Sequence, residues 1–218
     1  MSAASALPVF TLPFAGVLVC ACVVLALAGE YGLSRWFVYV FKPLATVLIL
    51  GVALGGTSAS PTYRWLIVAG LAFSLAGDVF LMLPGDRFVA GLASFFIAHL
   101  LYIAAFVCDG RFRLPLAVIL PLLAYALFLL WIVQPGAGKL APVVALYAGA
   151  LAAMAWVAVG HWAEVKTQPA EFAAIGGMLF VVSDSALAVN RFWWPFHAAQ
   201  LVVLATYFGA QWLIALST

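Results

Sequence analysis

Apolar runs of bilayer-crossing length recur along the whole chain, and no other feature limits the fold so sharply. Eight can be marked, at about residues 9–29, 36–54, 64–83, 88–108, 113–133, 140–160, 171–190 and 196–216. Each is about 18 to 22 residues long, near the ~20 that a helix needs to cross ~30 Å of hydrocarbon. Inside a bilayer every backbone N–H and C=O must find a partner in the chain, which leaves helices or closed barrels. The runs are continuous rather than alternating, so helices are expected. Only 7% of the residues are charged and 68% are hydrophobic, against the roughly 25% charge of a soluble domain. The expected fold is all-α: a polytopic transmembrane helical bundle of eight spans, one transmembrane domain over residues 1–218.

The connections are short and carry the turn residues: Gly55 to Pro61, Pro84-Gly-Asp-Arg87, Asp109 to Arg113, and Gln134-Pro-Gly-Ala-Gly-Lys139. The longest, His161 to Ala170, holds Glu164 and Lys166. No loop is long enough to fold separately, so any chemistry belongs inside the bundle. No Lys or Arg precedes the first apolar run, which is expected to be a retained span rather than a cleaved signal. Without a basic cluster the net charge of +2 points to no nucleic acid. Cys20, Cys22 and Cys108 show no disulfide or metal spacing. His161 and His197 sit at span edges without HxxxH or HExxH spacing, so no metal is expected.

Eight spans put both termini on one side, here the proximal face, with the distal face opposite. Each face receives four Lys or Arg in its connections, so the positive-inside rule leaves the orientation open. Depth is more informative. Asp78 and Asp184 are the acidic residues well inside the runs, and both lie toward the distal ends of the third and seventh. Lys42 and Tyr147 lie roughly 9–10 Å in from the distal face, and His99 and Tyr207 about 16 Å. One pocket opening toward the distal face is expected. Ser74 shares a helix face with Asp78; Tyr39, Lys42 and Thr46 form a stripe, as do Gly91, Phe95, His99 and Tyr102. Gln200, Tyr207 and Gln211 line one face of the last run.

A carboxylate in hydrocarbon is a functional candidate by default. Helix–helix glue is the plainer role, but a neutral Asn would fill it at lower desolvation cost. Two such groups, one neutral and one ionised, suit acid catalysis through an oxocarbenium-like state. Lys42 either snorkels to interfacial water or meets an aspartate or a lipid phosphate. The expected geometry is a shared cavity with the carboxylates roughly 5–10 Å apart.

These residues carry a family resemblance. Ser74-Leu-Ala-Gly-Asp-Val-Phe-Leu-Met82, then Phe88, Gly91, Phe95, His99 and Tyr102 at their spacing, resemble the YhhN-like lysoplasmalogenase family. Lys42-Pro43, Gly177-x-x-Phe180-x-x-Ser-Asp184, Asn190-x-Phe192 and Tyr207-x-x-x-Gln211 follow in family order. The resemblance implies eight spans and hydrolysis of the vinyl ether bond of lysoplasmalogens, giving a fatty aldehyde and a glycerophospho-alcohol, without a cofactor. It carries the catalytic pair onto Asp78 and Asp184. The substrate-binding residues are expected to be Lys42, Ser74, His99, Tyr102, Tyr147, Ser183, Asn190, Tyr207 and Gln211. The expected partners are a lysophospholipid and membrane lipids, in a bacterial cytoplasmic membrane.

A proton-coupled transporter of small molecules or lipids would also bury Asp, Lys and His, but it needs access from both faces. Gly77-Asp78 is similar to an intramembrane aspartyl protease signature, yet Leu75 stands where its first glycine belongs. A non-catalytic lipid-binding protein is the remaining reading; lysolipid turnover separates it from an enzyme.

Overall fold

A computed structural model describes residues 11–57, 60–108 and 110–218, with the side chain of Thr11 not described. The start of the first expected span, the question of a leader before it, Ser58, Ala59 and Asp109 lie outside the described residues. Among the described residues, eight α-helices follow one another: α1 Thr11–Glu30, α2 Arg35–Leu54, α3 Pro61–Met82, α4 Phe88–Val107, α5 Leu116–Ala137, α6 Ala141–Val165, α7 Gln168–Phe192 and α8 Ala199–Leu216. Proline opens α3, α6 and α7, where its missing N–H needs no partner. Ser60 caps α3 by accepting from Tyr63 N–H.

The eight expected spans appear as seven continuous stretches long and apolar enough to cross a membrane, and the difference lies between residues 116 and 165. There the expected loop Gln134–Lys139 is mostly helical. α5 runs through Pro135 to Ala137, and a 3-10 turn at Gly138–Leu140 leads directly into α6. Leu116–Val165 is therefore one apolar stretch of 50 residues. It folds back on itself at Gly138, whose φ of 52° suits a residue without Cβ. Trp156 Nε1 donates to Pro115 O at 3.1 Å and Arg113 N–H to Gly160 O at 3.1 Å, so the start of α5 lies beside the end of α6. The expected long connection after His161 is likewise absorbed: α6 continues to Val165, closes on a left-handed Lys166 (φ 51°), and α7 begins at Gln168.

The helices α1–α2, α3–α4, α6–α7 and α7–α8 are intimate pairs, and α2, α3 and α8 also meet. Close approach of α3 to α4 needs glycine at two places. A Cβ on Gly70 would lie 2.3 Å from the Tyr102 ring, and one on Gly77 2.7 Å from the Phe95 ring. The main core joins buried side chains of seven helices with Leu122 of α5. A separate small cluster of Val133, Ala137 and Val144 holds the distal end of α5 against α6. Most other large exposed side chains, such as Phe14, Val17, Leu127 and Leu146, are apolar and face outward. That surface suits hydrocarbon, not water.

Candidate functional site

Asp78 occupies the last full turn of α3 and is completely enclosed. Two helices supply its partners. From α2, Lys42 Nζ lies 3.3 Å from Oδ1, and Thr46 Oγ1 donates to Oδ2 at 2.8 Å. From α8, the Tyr207 hydroxyl donates to the same Oδ2 at 2.6 Å. Lys42 and Thr46 are four apart on α2, so one face delivers both. Tyr39, the third member of that stripe, instead packs on Trp36 and under the Arg35 guanidinium. A charge this deep is stable only with a counter-ion and hydrogen bonds, and Asp78 has both.

Asp184, in the distal half of α7, has a different environment. The Tyr147 hydroxyl of α6 donates to its Oδ2 at 2.5 Å, and no ion pair to it is found among the described residues. It is half-buried and borders a cavity of about 40 Å³ with Leu130, Val133, Val144, Tyr147 and Ala188.

Four rings join the two carboxylates. Tyr207 packs edge-on to Phe180 at 5.7 Å between centroids, Phe180 edge-on to His99 at 5.4 Å, and His99 tilted to Tyr147 at 5.3 Å. Each end of this row donates its phenol to one aspartate. Both nitrogens of His99 and both amide atoms of Gln211 are buried without a hydrogen-bond partner among the described residues. Buried polar atoms are nearly always satisfied, and these four are exceptions.

The other expected binding residues divide. Ser74 Oγ and Tyr102 OH are 3.4 Å apart, both fully buried, one turn below Asp78. Ser183 donates to Val203 O at 3.2 Å, and the Asn190 carbonyl accepts from Phe196 N–H at 3.2 Å. Those two bonds tie α7 to α8 and shape the turn between them. Thr46 and Phe180 were visible in stripe and motif but absent from the expected binding set. Thr46 gives itself away only as the residue one turn from Lys42.

At the distal face a cavity of about 380 Å³ is lined by Glu30, Lys42, Asp86, Arg87, Asn190 and Gln200, among others. Lys42 thus connects it to Asp78. Arg191 donates to Asp86 across its rim and lies over the Phe88 ring at 5.1 Å. Leu187 and Arg191 border this mouth, while Asp184 and Ala188 border the small cavity, and all four form one stripe of α7. The single cavity expected from the sequence is therefore two, each bordered by part of that stripe. A third cleft, of about 260 Å³ at the proximal face, lies among Ser60, Tyr63, Arg111 and His161. Among the described residues no three His, Cys, Asp or Glu side chains group to hold a metal.

An all-helical integral membrane protein with two interior carboxylates, each held by a phenol, is the class these features define. The YhhN family model matches residues 37–218, and the chain belongs to that family. It is 37% identical over 172 residues to lysoplasmalogenase TMEM86B of Sus scrofa, covering 78% of this chain and 71% of the relative. Human lysoplasmalogenase TMEM86B is 35% identical over 183 residues, covering 84% and 75%. Membrane protein YhhN of Escherichia coli O157:H7 is 28% identical over 201 residues, covering 92% and 96%. No solved structure matches the chain significantly.

Proposed function

We propose that the protein is a lysoplasmalogenase-like hydrolase that opens the vinyl ether bond of a lysophospholipid by acid–base catalysis with Asp78 and Asp184. The observation that carries this reading is the row Tyr207–Phe180–His99–Tyr147 with an aspartate at either end. The TMEM86B relatives, lysoplasmalogenases by name, supply the substrate class. The polypeptide crosses the bilayer eight times in this reading. As one straight helix Leu116–Val165 would be about 75 Å long, over twice the hydrocarbon thickness, whereas folded at Gly138 it gives two spans. The membrane is taken to be a bacterial cytoplasmic one, on the near end-to-end match to the Escherichia coli relative.

The partners divide the roles. Asp78, beside Lys42, is the anion; Asp184, with only a phenol, carries the proton. Asp184 gives its proton to the alkene carbon remote from the ether oxygen, and the adjacent carbon becomes an oxocarbenium centre. Water adds there and loses a proton toward Asp78. The hemiacetal then collapses: its O–H proton returns to Asp184, its C–O bond to glycerol breaks, the glycerol oxygen takes the proton held by Asp78, and the aldehyde leaves. One water is consumed, and both carboxyls return to their starting states. His99 and Gln211 have the free hydrogen-bonding capacity to hold the water and the glycerol hydroxyl. The distal mouth, with Lys42 and Arg87 against Glu30, suits a phosphate and an amine on one headgroup.

The test is aldehyde release by purified protein from alkenyl lysolipid, with acyl lysolipid as control, run in heavy water with immediate reduction of the product. The mechanism requires one deuterium on the carbon next to the former carbonyl. Aldehyde without that label, or equal turnover of the acyl lysolipid, contradicts it.

A further inference from the structure

Among the described residues α5 packs only on α6, the adjoining 3-10 turn and α7, and buries only Leu122, Val133 and Ala137. Its distal end is held by the small separate cluster of Val133, Ala137 and Val144. Pro135 also removes one N–H from the helical ladder, releasing the carbonyl of Trp131. Outside this cluster, between α5 and α6, runs a groove of about 390 Å³ lined by Leu127, Leu130, Trp131, Val133, Val144 and Ala145, among others. Inside it lies the cavity that holds Tyr147 and Asp184. Leu130, Val133 and Val144 line both spaces, so three side chains make the wall between the bilayer and a carboxylate. The polar side chain bordering the groove is Gln134, in the last turn of α5 at the distal face. An apolar trough with a polar distal rim matches a single-chain amphiphile whose head sits at that face.

We propose that this groove is the lateral portal for the hydrocarbon chain of the lysolipid, with Leu130, Val133 and Val144 as a movable wall in front of Asp184. This rests on the vinyl ether reading. The reactive bond of such a lipid adjoins its glycerol, so only the first carbons need reach Asp184. The rest of the chain stays in the groove, against lipid, and the bundle core does not have to open for it.

The experiment uses the full protein in nanodiscs with an alkyl-ether lysophosphatidylcholine carrying a diazirine at its chain end, which cannot be hydrolysed. Cross-links are expected to concentrate on residues 127–131 and 141–148, about tenfold above the equally exposed α1 positions Phe14 and Val17. Ala145→Trp, an outward-facing change that fills the groove, is expected to abolish that excess. The same variant should raise KM about tenfold for long-chain alkenyl lysolipid and leave a short, water-soluble vinyl ether unaffected. Uniform labelling around the bundle, or equal KM changes for both substrates, overturns the portal. If the wild type hydrolyses no vinyl ether lysolipid, the reading of the reaction fails. Groove labelling blocked by Ala145→Trp then still supports the portal, and labelling that ignores the variant ends it.

Discussion

The Lys42 ammonium stands 3.3 Å from Oδ1 of Asp78, with both side chains almost wholly withdrawn from the surface. Snorkelling is thereby replaced by an ion pair across α2 and α3. Removing one partner of a buried pair strands the other charge, which typically costs about 3–5 kcal/mol. Lys42→Met is expected to lower thermal stability strongly, and Lys42→Met with Asp78→Asn to recover most of the loss. Melting of the single and double variants in detergent checks this; a double variant no better than the single one would show that the pair is not coupled.

The Tyr147 phenol should matter more than the hydroxyl of Thr46. Asp78 Oδ2 accepts from both Tyr207 and Thr46, so either donor backs up the other. Asp184 has Tyr147 as its one hydrogen-bond donor among the described residues. A hydrogen bond to a charged or polarised carboxyl is worth about 1.5–3 kcal/mol, or roughly 10- to 100-fold in rate. Tyr147→Phe is expected to reduce kcat by that factor and Thr46→Val by less. Kinetics with equal losses for both variants would contradict the division.

Gly77 places α3 against α4 just before Asp78. A Cβ there would press on Phe95, whose ring meets Tyr207 edge-on at 5.7 Å. Gly77→Ala is expected to destabilise by about 1–3 kcal/mol, as overpacking does, and to disturb the Tyr207–Asp78 bond. A variant with unchanged melting and kinetics would mean that the ring moves freely.

Asp86, in the turn after α3, is held below the usual carboxylate range, first by the Phe88 N–H and then by Arg191. A carboxyl depressed in this way contributes stability above its unfolded value, and that contribution is lost as pH falls through its folded value. The melting difference between wild type and Asp86→Asn should hold constant from neutrality down to about pH 4 and shrink below it. A difference that vanishes near neutrality would contradict the clasp.

Apolar run length carried the helices, because hydrocarbon leaves a backbone no alternative. The observed bounds fall within a few residues of the runs in most cases. The turn between α5 and α6 was not legible: Gln134-Pro-Gly-Ala reads as a loop, yet in apolar surroundings its backbone stays helical to Ala137. Depth and helical stripe brought Lys42 to Asp78, and Tyr207 was legible as an inward-facing residue of the last run. Periodicity within one helix does not say which helices are neighbours, however. That Tyr147 serves Asp184 while Tyr207 serves Asp78, and that two separate cavities border one stripe of α7, depended on the packing order.

The central claim is that both aspartates take part in vinyl ether hydrolysis, and one measurement bears on it most directly. Aldehyde release from alkenyl lysolipid is compared for wild type, Asp78→Asn and Asp184→Asn, each purified and shown to be folded. Amide replacement keeps the volume and removes proton transfer, so each variant is expected to lose about 10²–10⁴ in kcat. A folded Asp78→Asn or Asp184→Asn protein with wild-type turnover would contradict the two-carboxylate mechanism.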